Sequence, residues 1–208
     1  MRTLANMSRA ILSAAVFAFA GWALLSILPS AQATTLEQLT LEQMARLSTA
    51  IVRAKIGSAR ADVRGGDVYT THTLKVLETW KRDVSGRAKA VAEVSTPGGV
   101  AEGLRQVVEG APDLREGDEY VIFLWTSRSG LTQVIGLSQG LFRVQADPSG
   151  KTLLATRTSA AERILDASGR PAVNQAFSMK LWDFKARVLG EISRNSGTPN
   201  QQIAAKVK

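Results

Sequence analysis

The stretch that decides the fold is Tyr120 to Trp125, which reads Tyr-Val-Ile-Phe-Leu-Trp. Every residue in this run is apolar or aromatic, and the acidic turn Glu116–Glu119 comes directly before it. A short run of this kind after a turn signal is typical of a strand whose two faces are both buried. We therefore expect Tyr120 to Trp125 to be the central strand of a sheet.

Further short strands are predicted on both sides of this run, because β-rich segments alternate with Gly, Pro, Asp and Ser turns. In chain order they are Thr49–Ile56, Val68–Trp80, Lys89–Thr96, Leu104–Val108, Leu131–Leu137, Leu141–Val144 and Thr152–Thr156. No segment with helical periodicity lies between them, which argues against a parallel βαβ protein. The pattern predicts a mainly β (α+β) chain, folded as a small barrel or sandwich.

Two helices are predicted at the ends of this set. Thr40 and Gln43 have the spacing of a capping box, which predicts a short helix from about Leu41 to Leu47. Near the C-terminus an apolar stripe at helical spacing predicts an amphipathic helix that packs on the sheet, with Trp182 and Leu189 widening its buried face. The stripe consists of Phe177, Leu181, Phe184, Val188 and Ile192.

The first 33 residues have the order of a secretory signal. Arg2 and Arg9 precede an apolar stretch from Ala10 to Leu28, and Ala31-Gln32-Ala33 then supplies a small-residue cleavage motif. We predict Sec-type export with cleavage after Ala33 to a periplasmic or secreted form, which leaves no stable membrane span. The alternative is an uncleaved N-terminal anchor, since about 18–20 apolar residues can span a bilayer. The mature chain is predicted as one domain, residues 34–194, followed by a polar tail, residues 195–208.

Composition removes several classes of chemistry. The 208-residue chain contains no cysteine and one histidine, which argues against disulfide frameworks, thiolate nucleophiles, zinc ribbons, iron–sulfur clusters and His-rich metal sites. We therefore expect no cofactor and no metal. The formal charge of +8 would suit an acidic partner.

Five segments carry a resemblance to known proteins: Ala-Ile-Val-Arg-Ala-Lys-Ile (50–56), Leu-Glu-Thr-Trp-Lys (77–81), Val-Ser-Thr-Pro-Gly-Gly (94–99), Leu-Arg-Glu-Gly-Asp-Glu-Tyr-Val-Ile-Phe-Leu (114–124) and Gly-Leu-Ser-Gln-Gly-Leu-Phe-Arg-Val (136–144). Their order resembles a group of exported bacterial proteins of unknown biochemical role. It is more distantly similar to the netrin-like, OB-fold module of the tissue inhibitors of metalloproteinases. The resemblance covers about Thr49 to Val144 and implies a small OB-like β-barrel there, on which we expect the two predicted helices to pack.

The inhibitory mechanism of that family does not follow from the resemblance. Its members grip the protease zinc through an N-terminal cysteine that disulfides hold in place, and this sequence has no cysteine. Shared fold alone does not establish shared function.

Candidate ligand-binding residues lie on the predicted strands and their ends. Arg53, Lys55 and Lys75 supply positive charge, and His72 is the single imidazole. Gly98 and Gly99 form a turn whose amides could face an anion. For His72 the strand pattern favours a half-buried structural role, and for the two glycines a plain turn is the simpler interpretation.

The sequence therefore favours an exported, non-catalytic binding module that contacts an envelope protein or an anionic envelope polymer. One alternative is an exported hydrolase that uses His72 or the acids Glu116, Asp118 and Glu119. A second alternative is an accessory or inhibitory partner of an exported protease. An OB-like barrel with basic and aromatic residues would also suit single-stranded nucleic acid, but export removes that partner, so we expect no nucleic acid.

Overall fold

The computed structural model describes residues 36–82, 91–158, 164–166, 168–172 and 176–196. Within these ranges the strands are β1 (Leu36–Glu37), β2 (Ala50–Arg64), β3 (Asp67–Lys81), β4 (Glu93–Pro97), β5 (Gly99–Ala101), β6 (Leu104–Gln106), β7 (Glu119–Thr126), β8 (Thr132–Val134), β9 (Leu141–Ala146), β10 (Leu153–Arg157), β11 (Ile164–Leu165), β12 (Pro171–Ala172) and β13 (Phe177–Lys180). The helices are α1 (Leu41–Leu47) and α2 (Leu181–Ser196). The chain is mainly β, as the sequence predicts.

Several sequence predictions fall outside the described residues. These are the signal peptide with its cleavage site after Ala33, the first part of the predicted strand from Lys89, and the tail from Gly197 onward. Neither helix in the described part of the chain is long and apolar enough to cross a membrane.

The main sheet has eight strands, with the order β13-β10-β9-β7-β2-β3-β4, and β8 pairs with β7 beside this path. All of its pairings are antiparallel. β4 lies next to β8, but no ladder joins these two strands among the described residues. The described strands therefore form an open sheet, and the closed barrel that the sequence predicts is not formed.

The prediction for Tyr120 to Trp125 is confirmed with one exception. β7 lies between β2 and β9, and Val121, Ile122, Phe123 and Leu124 are each 0% exposed. Trp125 at the end of the run is 44% exposed. The strand is buried on both faces because a separate apolar core lies on each side of it.

The two cores differ in composition and in what covers them. The helix-covered core packs α1 and α2 on one face of the sheet and contains Trp80, Phe123, Phe142 and Phe184. The strand-enclosed core lies on the other face, where β2, β3, β4, β7 and β8 contribute mainly aliphatic side chains such as Val94 and Ile122. β2 and β7 supply residues to both cores in alternation.

Helix α1 begins as the sequence predicts. The Thr40 hydroxyl accepts a hydrogen bond from the Gln43 amide, and the Gln43 side chain accepts one from the Thr40 amide. At the other end the Lys81 ammonium donates to the carbonyl oxygens of Ala45, Arg46 and Ser48, at 2.8, 3.1 and 2.6 Å. The last carbonyls of a helix have no partner within the helix, so Lys81 ties α1 to the end of β3.

Two details of the predicted C-terminal helix are wrong. Phe177 belongs to β13, which pairs with β10, and the helix begins at Leu181. Trp182 and Leu189 do not widen the buried face, because they are 77% and 38% exposed. Leu181, Phe184 and Val188 already cover the sheet, and Trp182 lies about 100° around the helix from Leu181.

Candidate functional site

The structure divides the predicted site residues between two faces of the β2–β3 ribbon. Arg53 and Lys55 are two residues apart on β2 and project from the same face, and Lys75 is the direct cross-strand neighbour of Lys55. His72 lies on the opposite, buried face of the ribbon, where it is the cross-strand neighbour of Val94 on β4. The Gly98–Gly99 turn packs against Val68 and Thr70 on that second face, so the three cationic residues form one candidate site without it.

Arg53 is held by two carboxylates. Its Nε donates to Glu119 and its Nη1 to Glu78, each at 2.6 Å, and Glu78 also accepts from the Lys185 ammonium at 2.6 Å. We call Arg53, Glu78, Glu119 and Lys185 the arginine network. It joins β2, β3, β7 and α2, and it has two positive and two negative groups. The charge of Arg53 is therefore compensated.

The arginine network shifts the acid strength of Glu78. The hydrogen bond from Lys185 is the largest cause, and those from Trp80 and Arg53 act in the same direction against the effect of burial, so the pKa of Glu78 is lowered to about 2. Burial also opposes the charge of Arg53, but Glu119 and Glu78 outweigh it and raise the pKa of Arg53. Both groups stay charged across the physiological pH range.

Lys55 and Lys75 have a different environment from Arg53. Both side chains are exposed, and neither forms an ion pair among the described residues. Glu119 is the neighbour of Lys55 on the β7 side, but its carboxylate accepts from Arg53. Directly opposed side chains have Cβ atoms about 4.5–5.5 Å apart, and like charges at that spacing repel. We call Lys55 and Lys75 the lysine pair.

His72 is buried within β3. It is 7% exposed, and burial lowers its pKa, against the opposing charge of Asp113. Within the described ranges no hydrogen bond joins His72 to a hydroxyl or to a carboxylate. A hydrolase that used His72 as its base would need a nucleophile within hydrogen-bond reach, and the described residues offer none.

Gly98 and Gly99 carry the chain from β4 into β5 with φ angles of 98° and 133°. The Gly98 amide donates to the Val68 carbonyl at 2.7 Å, and a Cβ at Gly99 would lie 2.4 Å from Thr70 Oγ1. Glycine is needed at Gly99 because its backbone approaches β3 closely. The Gly98 amide is therefore already paired with β3, and it is not one of the amides that could face an anion.

The acidic turn before β7 is also built into the structure. Asp118 accepts from Arg143 at 2.9 Å and from the Tyr120 hydroxyl at 3.2 Å, and Glu119 belongs to the arginine network. Burial and the charge of Asp118 raise the pKa of Tyr120. Two of the three acids proposed for a hydrolase therefore serve as ion-pair partners, and Glu116 remains exposed in the turn.

A pocket of about 720 Å³ lies on the face of the sheet opposite the lysine pair, and we call it the polar pocket after the charged and hydroxyl side chains in its lining. Its floor is formed by residues of β7, β9, β10 and β13, and its wall by the loop from Glu109 to Arg115. Its charged lining residues are Glu109, Asp113, Arg115, Arg143 and Arg157. Sequence reasoning missed this pocket, and the only signal for it was the alternation of Arg143 and Gln145 with buried residues in β9.

The turn at one end of the pocket is fixed by Gln139, which is 1% exposed. Its side chain accepts from the Leu39 amide at 2.8 Å and donates to the Glu37 carbonyl at 3.0 Å. Its own carbonyl accepts from Arg157, whose guanidinium lies 4.9 Å from the centre of the Phe142 ring. These contacts hold Arg157 in position at the pocket rim.

No group of three or more His, Asp or Glu side chains in the described part of the chain could hold a metal ion. Comparison with known proteins finds no matching protein-family model and no matching curated protein. The assignment of function therefore rests on the geometry described above.

Proposed function

We propose that this protein is an exported, non-catalytic binding module that contacts an anionic polymer of the cell envelope through the lysine pair. The observation that carries this proposal is the direct opposition of Lys55 and Lys75 without an acidic partner among the described residues. Repulsion between the two ammonium groups disfavours the folded chain, and a bound polyanion would remove that repulsion. Arg53, two residues away, shows that this face readily accommodates compensating acids.

We infer an OB-like, netrin-like arrangement for the five strands around the strand-enclosed core. The order β4-β3-β2-β7-β8, with β4 beside β8, supports this inference, because an OB-fold is a five-stranded, partly open barrel. In this interpretation α1 and α2 cover the outer face of the barrel strands. Export is inferred from the charged, apolar and Ala-x-Ala segments of the N-terminus.

The proposed contact is tested by the affinity of the exported protein for polyglutamate and polyphosphate, with neutral dextran as the uncharged control. Lys55→Ala/Lys75→Ala should weaken binding to the charged polymers about thirtyfold, because each of the two lysines near an anionic surface contributes about 1 kcal/mol. The matched control is Arg128→Ala/Lys151→Ala, which removes the same charge from two exposed turn positions. That control should change the affinity less than about twofold.

Equal losses in the two double variants would contradict the proposal, since binding would then depend on net charge alone. Absence of binding to both polymers would also contradict it. Binding should weaken as salt is raised from 0.05 to 0.5 M, because exposed charges are screened over about 3–10 Å at higher ionic strength.

Export is tested separately by N-terminal sequencing of the protein from the envelope fraction. A mature start at Thr34 is expected. A start at Met1 would mean that the N-terminal segment is retained as an anchor.

A further inference from the structure

We propose that the polar pocket is a second binding site, for a small polyhydroxylated molecule that carries a single oxyanion group, such as an acidic sugar. The pocket lies on the opposite sheet face from the lysine pair, so this inference is independent of the proposed polymer contact. Its volume of about 720 Å³ falls within the range of small-molecule sites, about 300–1,000 Å³.

A row of polar side chains crosses the floor of the pocket. Tyr120, Arg143, Thr156 and Ser178 are successive cross-strand neighbours on β7, β9, β10 and β13. Adjacent strands are about 4.8 Å apart, so the row extends about 14 Å. A row of hydroxyl and guanidinium groups at this spacing suits a ligand with several hydroxyls along its length.

Arg143 provides the oxyanion site within this row. Its Nη2 donates to Asp118 at 2.9 Å, and Asp118 is held in turn by the Tyr120 hydroxyl. A guanidinium has five N–H donors in a rigid plane, so the bond to Asp118 leaves four donors on a side chain that lines the pocket. A positioned guanidinium of this kind can bind a carboxylate or a phosphate through two parallel hydrogen bonds.

Neighbouring polar groups are free to bind hydroxyls. Neither the Ser178 hydroxyl nor the side-chain amide of Gln145 forms a hydrogen bond in the described ranges, and both residues line the pocket. Each can donate and accept, as the hydroxyl groups of a sugar require. Leu141 and Phe177 supply apolar surface in the same lining, against which the carbon-bound hydrogens of a sugar ring would pack.

The wall limits the charge of the ligand. Glu109 and Asp113 stand on the loop opposite the floor, and Asp113 is paired with Arg115 at 2.9 Å. These carboxylates would repel a molecule with many negative charges but can accept hydrogen bonds from hydroxyl groups. The pocket is therefore suited to one oxyanion group with several hydroxyls, and the polyanion of the first proposal does not suit it.

Calorimetric titration of the full exported protein tests this inference, with D-glucuronate, D-glucose 6-phosphate, D-glucose and acetate as probes. At least one charged sugar should bind saturably, and D-glucose and acetate should bind at least tenfold more weakly. Preference for glucuronate would identify a carboxylate ligand, and preference for the sugar phosphate a phosphate ligand. No saturable binding of either charged sugar, or equal binding of D-glucose, would overturn the proposal.

Variants locate the binding to the pocket. Arg143→Met should lower the affinity for the preferred probe at least tenfold, and Arg143→Lys should retain part of that affinity. Ser178→Ala/Gln145→Ala leaves Arg143 and Asp118 in place and should lower the affinity for the preferred probe about threefold. This variant serves as the second test if Arg143→Met fails to fold. Lys55→Ala/Lys75→Ala should bind the sugar as the wild type does. Unchanged affinity in the folded pocket variants would place the ligand elsewhere and overturn the proposal.

Discussion

Arg53 and the lysine pair lie close together on the same face of the β2–β3 ribbon, but their electrostatic environments are opposite. Arg53 is 19% exposed at its side chain and contacts two carboxylates. Lys55 and Lys75 face each other and have no acid partner among the described residues. Arg53 is a charge that holds the fold together, whereas the lysine pair is left without an acid partner and is therefore the part of this face that supports the proposed polymer contact.

The largest difference in stability should appear when Arg53 and Lys55 are each replaced by an uncharged side chain of similar length. Arg53→Met should destabilise the protein by about 2–3 kcal/mol, because it leaves the partly buried Glu119 without its partner. Lys55→Met, two residues away on the same face, is the matched control and should cost nothing. Urea unfolding measures the free energy of unfolding of both variants. An equal decrease in the two variants would contradict the distinction between Arg53 and the lysine pair.

A second compensated cation extends the comparison to the end of β3. Lys81→Met should cost about 1–2 kcal/mol, since the three carbonyls at the end of α1 lose a charged donor. The loss should appear in urea unfolding at neutral pH. Lys75→Met, on the same strand, provides the control, and a comparable loss there would mean that the exposed lysine has a structural role too.

The arginine network should also be visible in the pH dependence of stability. Because the pKa of Glu78 is lowered to about 2 in the folded protein, its stabilisation is complete above about pH 4.5 and is lost as the pH falls toward 2. The Glu78 side chain is 31% exposed, so solvent screening reduces the expected effect to about 1 kcal/mol. When the pH is lowered from 6 to 3, the free energy of unfolding should fall by about 1 kcal/mol less for Glu78→Gln than for the wild type. Parallel pH profiles would contradict this assignment.

The smallest effect should have the opposite sign. Lys75→Ala alone should raise the free energy of unfolding by about 0.2–0.5 kcal/mol, because it removes repulsion from an exposed pair. The gain should shrink as salt is added, since the interaction is screened. A loss of stability that does not depend on salt would mean that the Lys75 side chain packs against the sheet.

The sequence predicted the parts of the fold that depend on local patterns. The capping box at Thr40 and the buried run that begins at Tyr120 both follow from neighbouring residues, and the structure confirms both apart from the exposure of Trp125. The exposure of Trp182 was not predictable in this way. Hydrophobic character placed Trp182 on the buried face of the helix, whereas the packing of Leu181 and Phe184 against the sheet decided the orientation.

The candidate sites depend on register, which the sequence does not reveal. Lys55 and Lys75 are both visible as cations on strands, but their opposition depends on the register shift between Ile56 and Ala59, which lies between the hairpin turn and the pair. A shift of one residue would place one of them on the other face of the sheet. The polar row from Tyr120 to Ser178 likewise requires the pairing of four strands that are distant in sequence.

The most direct test of the proposed function is thermal unfolding of the wild type and of Lys55→Ala/Lys75→Ala, each with and without polyglutamate. Without the polymer, the double variant should be at least as stable as the wild type, because the repulsion is gone. With the polymer, Tm should rise for the wild type and much less for the variant, since stabilisation by a ligand falls as its affinity for the native state falls. A variant that is less stable without polymer, or an equal rise in Tm for both proteins, would contradict the account.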